Sequence, residues 1–237
     1  VLESFASSVA TLDDDELREG VALVDIGGGT TDVAIFLDNI IRHTAVIPFG
    51  GNVITQDIKT GLSILEKQAE LLKIKFGSAM YTEDQENVII SIPGLRGRDP
   101  KEIAVKNLSE IIGARYKEII DLVYHQIKAS GYENKLMTGI VLTGGGAKIR
   151  NLKQLAAFIT GKETRIGYPN EHLGSESKKV VVSPMYATSV GLVLKGFEHA
   201  EYTNTSSQSE STPKLPESNR VGILEIMKDW FTEENID

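Results

Sequence analysis

Two carboxylates bracket a bare stretch of backbone in VDIGGGTTDVAIF, residues 24–36. Asp25 ends one apolar run; Gly27, Gly28, Gly29, Thr30, Thr31 and Asp32 then lead into another. A hairpin needs only one or two flexible residues. Three consecutive glycines let a bulky anion reach backbone N–H groups, which is how tight turns form phosphate nests. The hydroxyls of Thr30 and Thr31 add donors. Asp25 is then placed to hold waters of Mg²⁺, an ion that keeps its water shell and is gripped by few carboxylates together with phosphate. Asp32 either assists or caps the hairpin. The alternative is a glycine-rich hairpin without a ligand.

A second glycine turn, Gly144 to Gly146, lies in TGIVLTGGGAKIRNLKQLAAFIT. An apolar strand precedes it and a helical pattern follows, a βα unit of nucleotide-binding type. This turn is a candidate seat for adenosine, with a helix N-terminus nearby to favour negative charge; a ligand-free helix start is the alternative. About 120 residues separate the two turns. The pair specifies a nucleoside phosphate such as ATP better than either turn does.

The elements that must position these turns follow from pattern. A helix ends near residue 12, an acidic loop DDDELREG follows, and VALVDIG, TDVAIFLD and IIRHTAVIPF read as strands, with Asp38-Asn39 as a hairpin turn. GGNVITQDIKTGL switches to helical spacing, with Val53, Ile54, Ile58 and Leu62 on one face, and a second helix is expected from a capping box at Ser63 and Glu66 to Gly77. NVIISIPG is a short strand. Asp99, Pro100 and Glu102 predict the start of a long helical stretch to Gly131, divided at Gly113. TRIG is a strand, and a helix is expected from about Pro184 to Phe197.

Composition bounds the function. With 237 residues the chain can bury one full domain or two small lobes. A net charge of −8 argues against general nucleic-acid binding. The absence of cysteine excludes disulfides and thiolate metal sites, and the four histidines have no ligand-like spacing. No signal peptide or spanning run is present in a sequence that opens at Val1 without Met, which reads as the downstream part of a longer protein. Residues 199–219 are rich in Ser, Thr and Pro and read as a disordered linker. In residues 220–237, Ile223, Leu224, Met227, Trp230 and Phe231 share one helical stripe, the pattern of an interfacial membrane anchor. That segment is net acidic, so apolar insertion must drive any lipid binding; docking on protein is the alternative.

VDIGGGTTD is similar to the second phosphate hairpin of the actin-like ATPase superfamily, and IVLTGGGAKIRNL to its adenosine motif. With PFGGNVITQDI, AELLKIKFG and SPMYATSVGL in the same order, residues 1 to about 198 resemble most closely the FtsA family of bacterial division proteins. The resemblance implies an α/β fold: an actin-like (ribonuclease H-like) ATPase lobe with an inserted α+β subdomain. Residues 1–50 and 138–198 would form the core subdomain (2A), and 51–137 the inserted one (2B).

It also implies roles. Glu3 matches a carboxylate that positions a magnesium-bound or attacking water, although Ser4 stands where the family usually has proline. Asp25 matches the magnesium-water aspartate, and Gly145, Gly146 and Lys148 the adenosine-side loop. Glu70 and Lys73 match a pair contacting ribose and adenine; spacing alone makes them an i,i+3 ion pair. Arg98, Lys101 and Arg115 belong to a basic stretch that on charge pattern is a solvated face, and that in this family holds the C-terminal peptide of the tubulin-like FtsZ. The family further implies a lipid-binding terminal helix, self-association into filaments, a place on the cytoplasmic face of the membrane at the division site, and at most slow ATP hydrolysis. Its first phosphate hairpin has no counterpart here, so half a cleft and weak or undetectable ATP binding are expected. A sugar- or acetate-type kinase and a pilus-assembly ATPase are the alternatives.

Overall fold

The central sheet has five strands; the middle three, rich in Val, Ile, Leu and Ala, are buried on both faces, whereas the two flanking strands are largely half-buried or exposed. In a computed structural model, which describes residues 2–83, 86–94, 99–169 and 181–206, the strands are β1 (Val21–Ile26), β2 (Thr31–Leu37), β3 (Ile40–Ile47), β6 (Ile140–Thr143) and β7 (Thr164–Ile166), in the order β3-β2-β1-β6-β7. The first three form an antiparallel meander, whereas β6 and β7 run parallel to β1. Asp38 and Asn39 both take positive φ between β2 and β3, the two-residue turn predicted there.

Alternation along β1 sorts the core into two layers. Ala22, Val24 and Ile26 face one apolar cluster with Val33, Ile35 and Leu142, covered by α3 (Gly51–Leu62), α5 (Val105–Ala129) and α6 (Leu152–Thr160). Val21 and Leu23 face the other with Ala34, Phe36 and Val141, beside α1 (Glu3–Thr11) and α2 (Asp14–Glu19). Residues between β3 and β6 add α3, α4 (Glu66–Phe76), α5 and a two-stranded antiparallel sheet of β4 (Ile89–Ile92) and β5 (Lys101–Ala104). Ile54, Ile58, Ile112 and Ile120 of this stretch join the same cluster as β1. The contacts define one compact unit, Val1–Glu198; of the second, His199–Asp237, the described part is helical.

Several local expectations are corrected. The DDDELREG segment is helix α2: Asp13 accepts from the Glu16 N–H, and Glu16 accepts in return from the Asp13 N–H. Ser63 opens no helix; it closes α3 in the left-handed conformation, and α4 starts after Leu65, whose N–H donates to Gln68. Asp99 and Pro100 precede β5 rather than a helix, because residues 101–104 pair with β4. Gly113 does not divide α5. A Cβ there would lie 2.7 Å from the Ala79 carbonyl oxygen, so the glycine admits a neighbouring backbone. The last helix, α7 (Ala187–Ser206), continues beyond Phe197 into the stretch expected to be linker.

Candidate functional site

Asp25 of β1 is in parallel register with Thr143 of β6. Both strands end there, so the two glycine turns emerge side by side at the carboxyl edge of the sheet, where ligands of open α/β sheets bind. Contact is close: a Cβ on Gly144 would fall 2.6 Å from the Ile26 carbonyl oxygen, and one on Gly146 2.4 Å from Ile26 Cγ2.

The first turn is closed by the Gly27 N–H donating to Thr30 O at 2.9 Å. Its carbonyls are consumed by the start of α3: the Gly51 N–H donates to Gly27 O and the Asn52 N–H to Gly28 O. The N–H groups of Gly28, Gly29 and Thr30 take no acceptor among the described residues, and all three residues are exposed. This polarity is what an anion nest requires. Gly50 makes it possible, since a Cβ there would lie 2.6 Å from Gly27 O. The Thr30 hydroxyl donates to Asp32 at 3.2 Å. Thr31 is corrected as a ligand donor: it is fully buried and its hydroxyl donates to Phe49 O at 2.8 Å.

Asp25 is buried at 5% exposure. Burial pushes its carboxyl above the ordinary value, the Ser7 and Thr188 hydroxyls pull it partly back, and Asp32 adds to the rise. Glu3 sits in the first turn of α1, and its carboxyl is raised by partial burial and by the charges of Asp32 and Asp25. Three carboxylates thus bear on the ground beside the first turn, a field that favours a cation.

At the second turn Gly144 takes φ 85°, and Gly145–Lys148 form a short 3₁₀ turn. Gly145 and Lys148 are exposed. Tyr116, at 1% exposure on α5, donates its hydroxyl to Gly146 O at 2.8 Å. Glu70 and Lys73 form an ion pair of 2.7 Å, with Lys73 largely buried. Lys73 also donates to Gly51 O at 2.9 Å and to Thr55 Oγ1 at 2.8 Å, and the Thr55 hydroxyl donates to Glu70. The ammonium therefore ties α4 to the helix start beneath the first turn. A cleft of about 490 Å³ lies beside Glu70, with Asn52, Thr55, Gln56, Glu66, Lys67 and Leu71 also in its lining.

Lys101 and Arg115 are not free. Lys101 donates to Leu62 O at the end of α3. Arg115 forks onto Asp57 at 2.6 and 3.0 Å and also pairs with Glu118, so an acidic ligand must compete with two resident carboxylates. Arg98 and the stripe Ile223, Leu224, Met227, Trp230 and Phe231 lie outside the described residues. Ser7 and Tyr116 escape sequence reasoning, and Gly50 and Thr188 enter it only within the segments PFGGNVITQDI and SPMYATSVGL with no role assigned, because each acts on a residue distant along the chain.

Known proteins place the chain. The family described as cell division protein FtsA matches residues 22–191. Cell division protein FtsA of Pseudomonas aeruginosa is 38% identical over 235 residues, covering 97% of this chain and 54% of that protein. The Escherichia coli K12 counterpart is 36% identical over 242 residues, covering 99% and 56%. The chain spans about half the length of the curated relatives it matches. MreB5 of Spiroplasma citri bound to ADP aligns with TM-score 0.66 at 24% identity, over 87% of this chain and 61% of that one. A PilM–PilN type IV pilus biogenesis complex aligns with TM-score 0.60 at 17% identity, over 82% and 52%. These structures share the actin-like fold.

Proposed function

The chain belongs to the FtsA family of cell division proteins, and on that premise we propose that it is the second lobe of an actin-like, nucleotide-binding division protein. The observation that carries the reading is the pair of glycine turns at one sheet edge, with three N–H groups of the first free of partners among the described residues. In this reading Gly27 to Thr30 hold the terminal phosphates, and Gly145, Gly146 and Lys148 with Glu70 and Lys73 flank the nucleoside. Residues 51–137 act as the inserted subdomain (2B) on a core of 1–50 and 138–198 (2A).

The acidic side fits magnesium. Among the described residues no group of three or more His, Asp or Glu side chains could cage a metal. A cation beside Asp25 would therefore draw its remaining ligands from phosphate and water, the set magnesium prefers. Bound there, it would neutralise phosphate charge. Asp25 and Glu3 accept hydrogen bonds from waters at this edge and hold them in place. Nucleotide then sets conformation and filament assembly, with hydrolysis slow.

The same reading makes the protein an adaptor that ties FtsZ filaments to the cytoplasmic face of the membrane. Arg115 would exchange Asp57 and Glu118 for an acidic FtsZ peptide, with Lys101 and Arg98 nearby in sequence. The 220–237 segment would enter lipid through Ile223, Leu224, Met227, Trp230 and Phe231. Deleting 221–237 is expected to abolish liposome co-sedimentation; unchanged pelleting rules out the anchor. Calorimetric titration with Mg·ATP tests the nucleotide reading: affinity weaker than micromolar is expected of one lobe, and a micromolar Kd contradicts the half-cleft. The family match favours this role over the pilus-assembly and kinase alternatives.

A further inference from the structure

The two oxygens of Asp25 live in different surroundings. Ser7, fully buried on α1, donates to Oδ2 at 2.5 Å, and Thr188 of α7 lies 3.2 Å from the same oxygen. The two hydroxyls are 2.9 Å apart. Each hydroxyl has a single proton. Ser7 spends its own on Asp25, so the Thr188 proton is shared between Ser7 Oγ and Oδ2, and a relay runs from α7 through α1 to β1. Oδ1 takes no donor among the described residues. It lies against Gly144, where a Cβ would come within 2.3 Å. One oxygen is saturated, the other bare and facing the second turn.

This arrangement needs α1 and α7 at unusually short range. A Cβ on Gly191 of α7 would lie 1.7 Å from the Ala6 carbonyl oxygen of α1. Gly191 is what lets hydroxyls from both helices reach one carboxylate.

We propose that Ser7 and Thr188 are positioning residues that lock the Asp25 carboxylate so that Oδ1, and not Oδ2, is presented to the hydrated divalent cation of a bound nucleotide. The proposal rests on the nucleotide reading above. Hydroxyls that merely compensate burial stabilise the fold alike with and without metal. Hydroxyls that aim Oδ1 matter most when a cation is there to be met.

The test titrates the ¹⁵N-labelled 237-residue chain with ADP to millimolar concentration, once in Mg²⁺ and once in EDTA, and takes the ratio of affinities as the magnesium enhancement. Asp25→Asn is expected to remove the enhancement. Ser7→Ala and Thr188→Val are expected to cut it about three- to tenfold, the range of one hydrogen bond, while Thr188→Ser, which keeps the hydroxyl, retains it. Variants that weaken binding equally in both buffers overturn the positioning role and leave a structural one. An Asp25→Asn variant with full enhancement, or a wild-type chain with none, instead overturns the cation reading and this proposal with it. Should Ser7→Ala fail to fold, the Thr188→Val and Thr188→Ser pair carries the comparison.

Discussion

Gly29→Ala separates a turn shaped for a ligand from a turn shaped for its own folding. A Cβ at Gly29 meets no atom within 4 Å, and its φ lies outside the left-handed region, so alanine fits without strain. Restricting the unfolded chain at such a site is worth about 0.4–1 kcal/mol. For a body of this size each kcal/mol moves Tm by about 2–4 °C, so the variant should melt about 1–4 °C above wild type. The added methyl stands among the free N–H groups of Gly28, Gly29 and Thr30, where phosphate oxygens must come. Losing one charge-assisted contact of about 1.5–3 kcal/mol should weaken ADP binding about tenfold or more. Gly50→Ala behaves oppositely: its Cβ would lie 2.6 Å from Gly27 O and 2.8 Å from Gly28 O, and overpacking of about 1–3 kcal/mol should lower Tm by several degrees. Thermal melts followed by circular dichroism and ADP titrations read both quantities. A Gly29→Ala chain that binds ADP like wild type refutes the phosphate contact, and one that melts lower refutes the open turn.

Tyr116→Phe removes the hydroxyl that donates to Gly146 O in a site at 1% exposure; a loss of about 1–2 kcal/mol in chemical denaturation is expected, with weaker ADP binding as the second turn loosens. Asp25→Asn removes a carboxyl whose folded pKa is raised by burial. The carboxyl helps folding only below the ordinary carboxylate range and is a burden once pH has risen through its folded value. The variant should therefore melt above wild type at pH 7, and the gap should close near pH 4; a gap that widens on acidification contradicts the burial argument. Arg115 and Asp57, forked and each less than a third exposed, should show a coupling of about 1 kcal/mol in a double-mutant cycle. Additive single effects would mean the pair contributes nothing.

Where the physics is local, the residues announced the structure. The glycine turns, the Asp38-Asn39 reversal and the strands of the central sheet are readable because short-range sterics decide them. The Asp13 and Glu16 box was equally local, yet a run of acids reads as loop until its cap is noticed. At Ser63 the spacing to Glu66 satisfied the capping pattern while the chain used Ser63 to end the previous helix. Gly113 looked like a break because helix propensity is judged along the chain, whereas its role is to admit Ala79 from 34 residues away. Residues 101–104 became strand because β4 was there to pair with them. The supports of the site are long-range in the same sense. Ser7 reaches Asp25 across 18 residues, Thr188 across 163, and Tyr116 reaches Gly146 across 30. Nothing in the local pattern marks them, since a serine or tyrosine on an apolar helix face is compatible with ordinary packing.

The most direct measurement is a map of amide shifts in the ¹⁵N-labelled chain as Mg·ADP is added to millimolar concentration. The largest changes should fall at Gly28, Gly29 and Thr30 and at Gly145 to Lys148, with smaller ones along Glu70 to Lys73. Shifts that avoid both glycine turns, or that gather elsewhere on the surface, would contradict the claim that this sheet edge is built to hold a nucleotide.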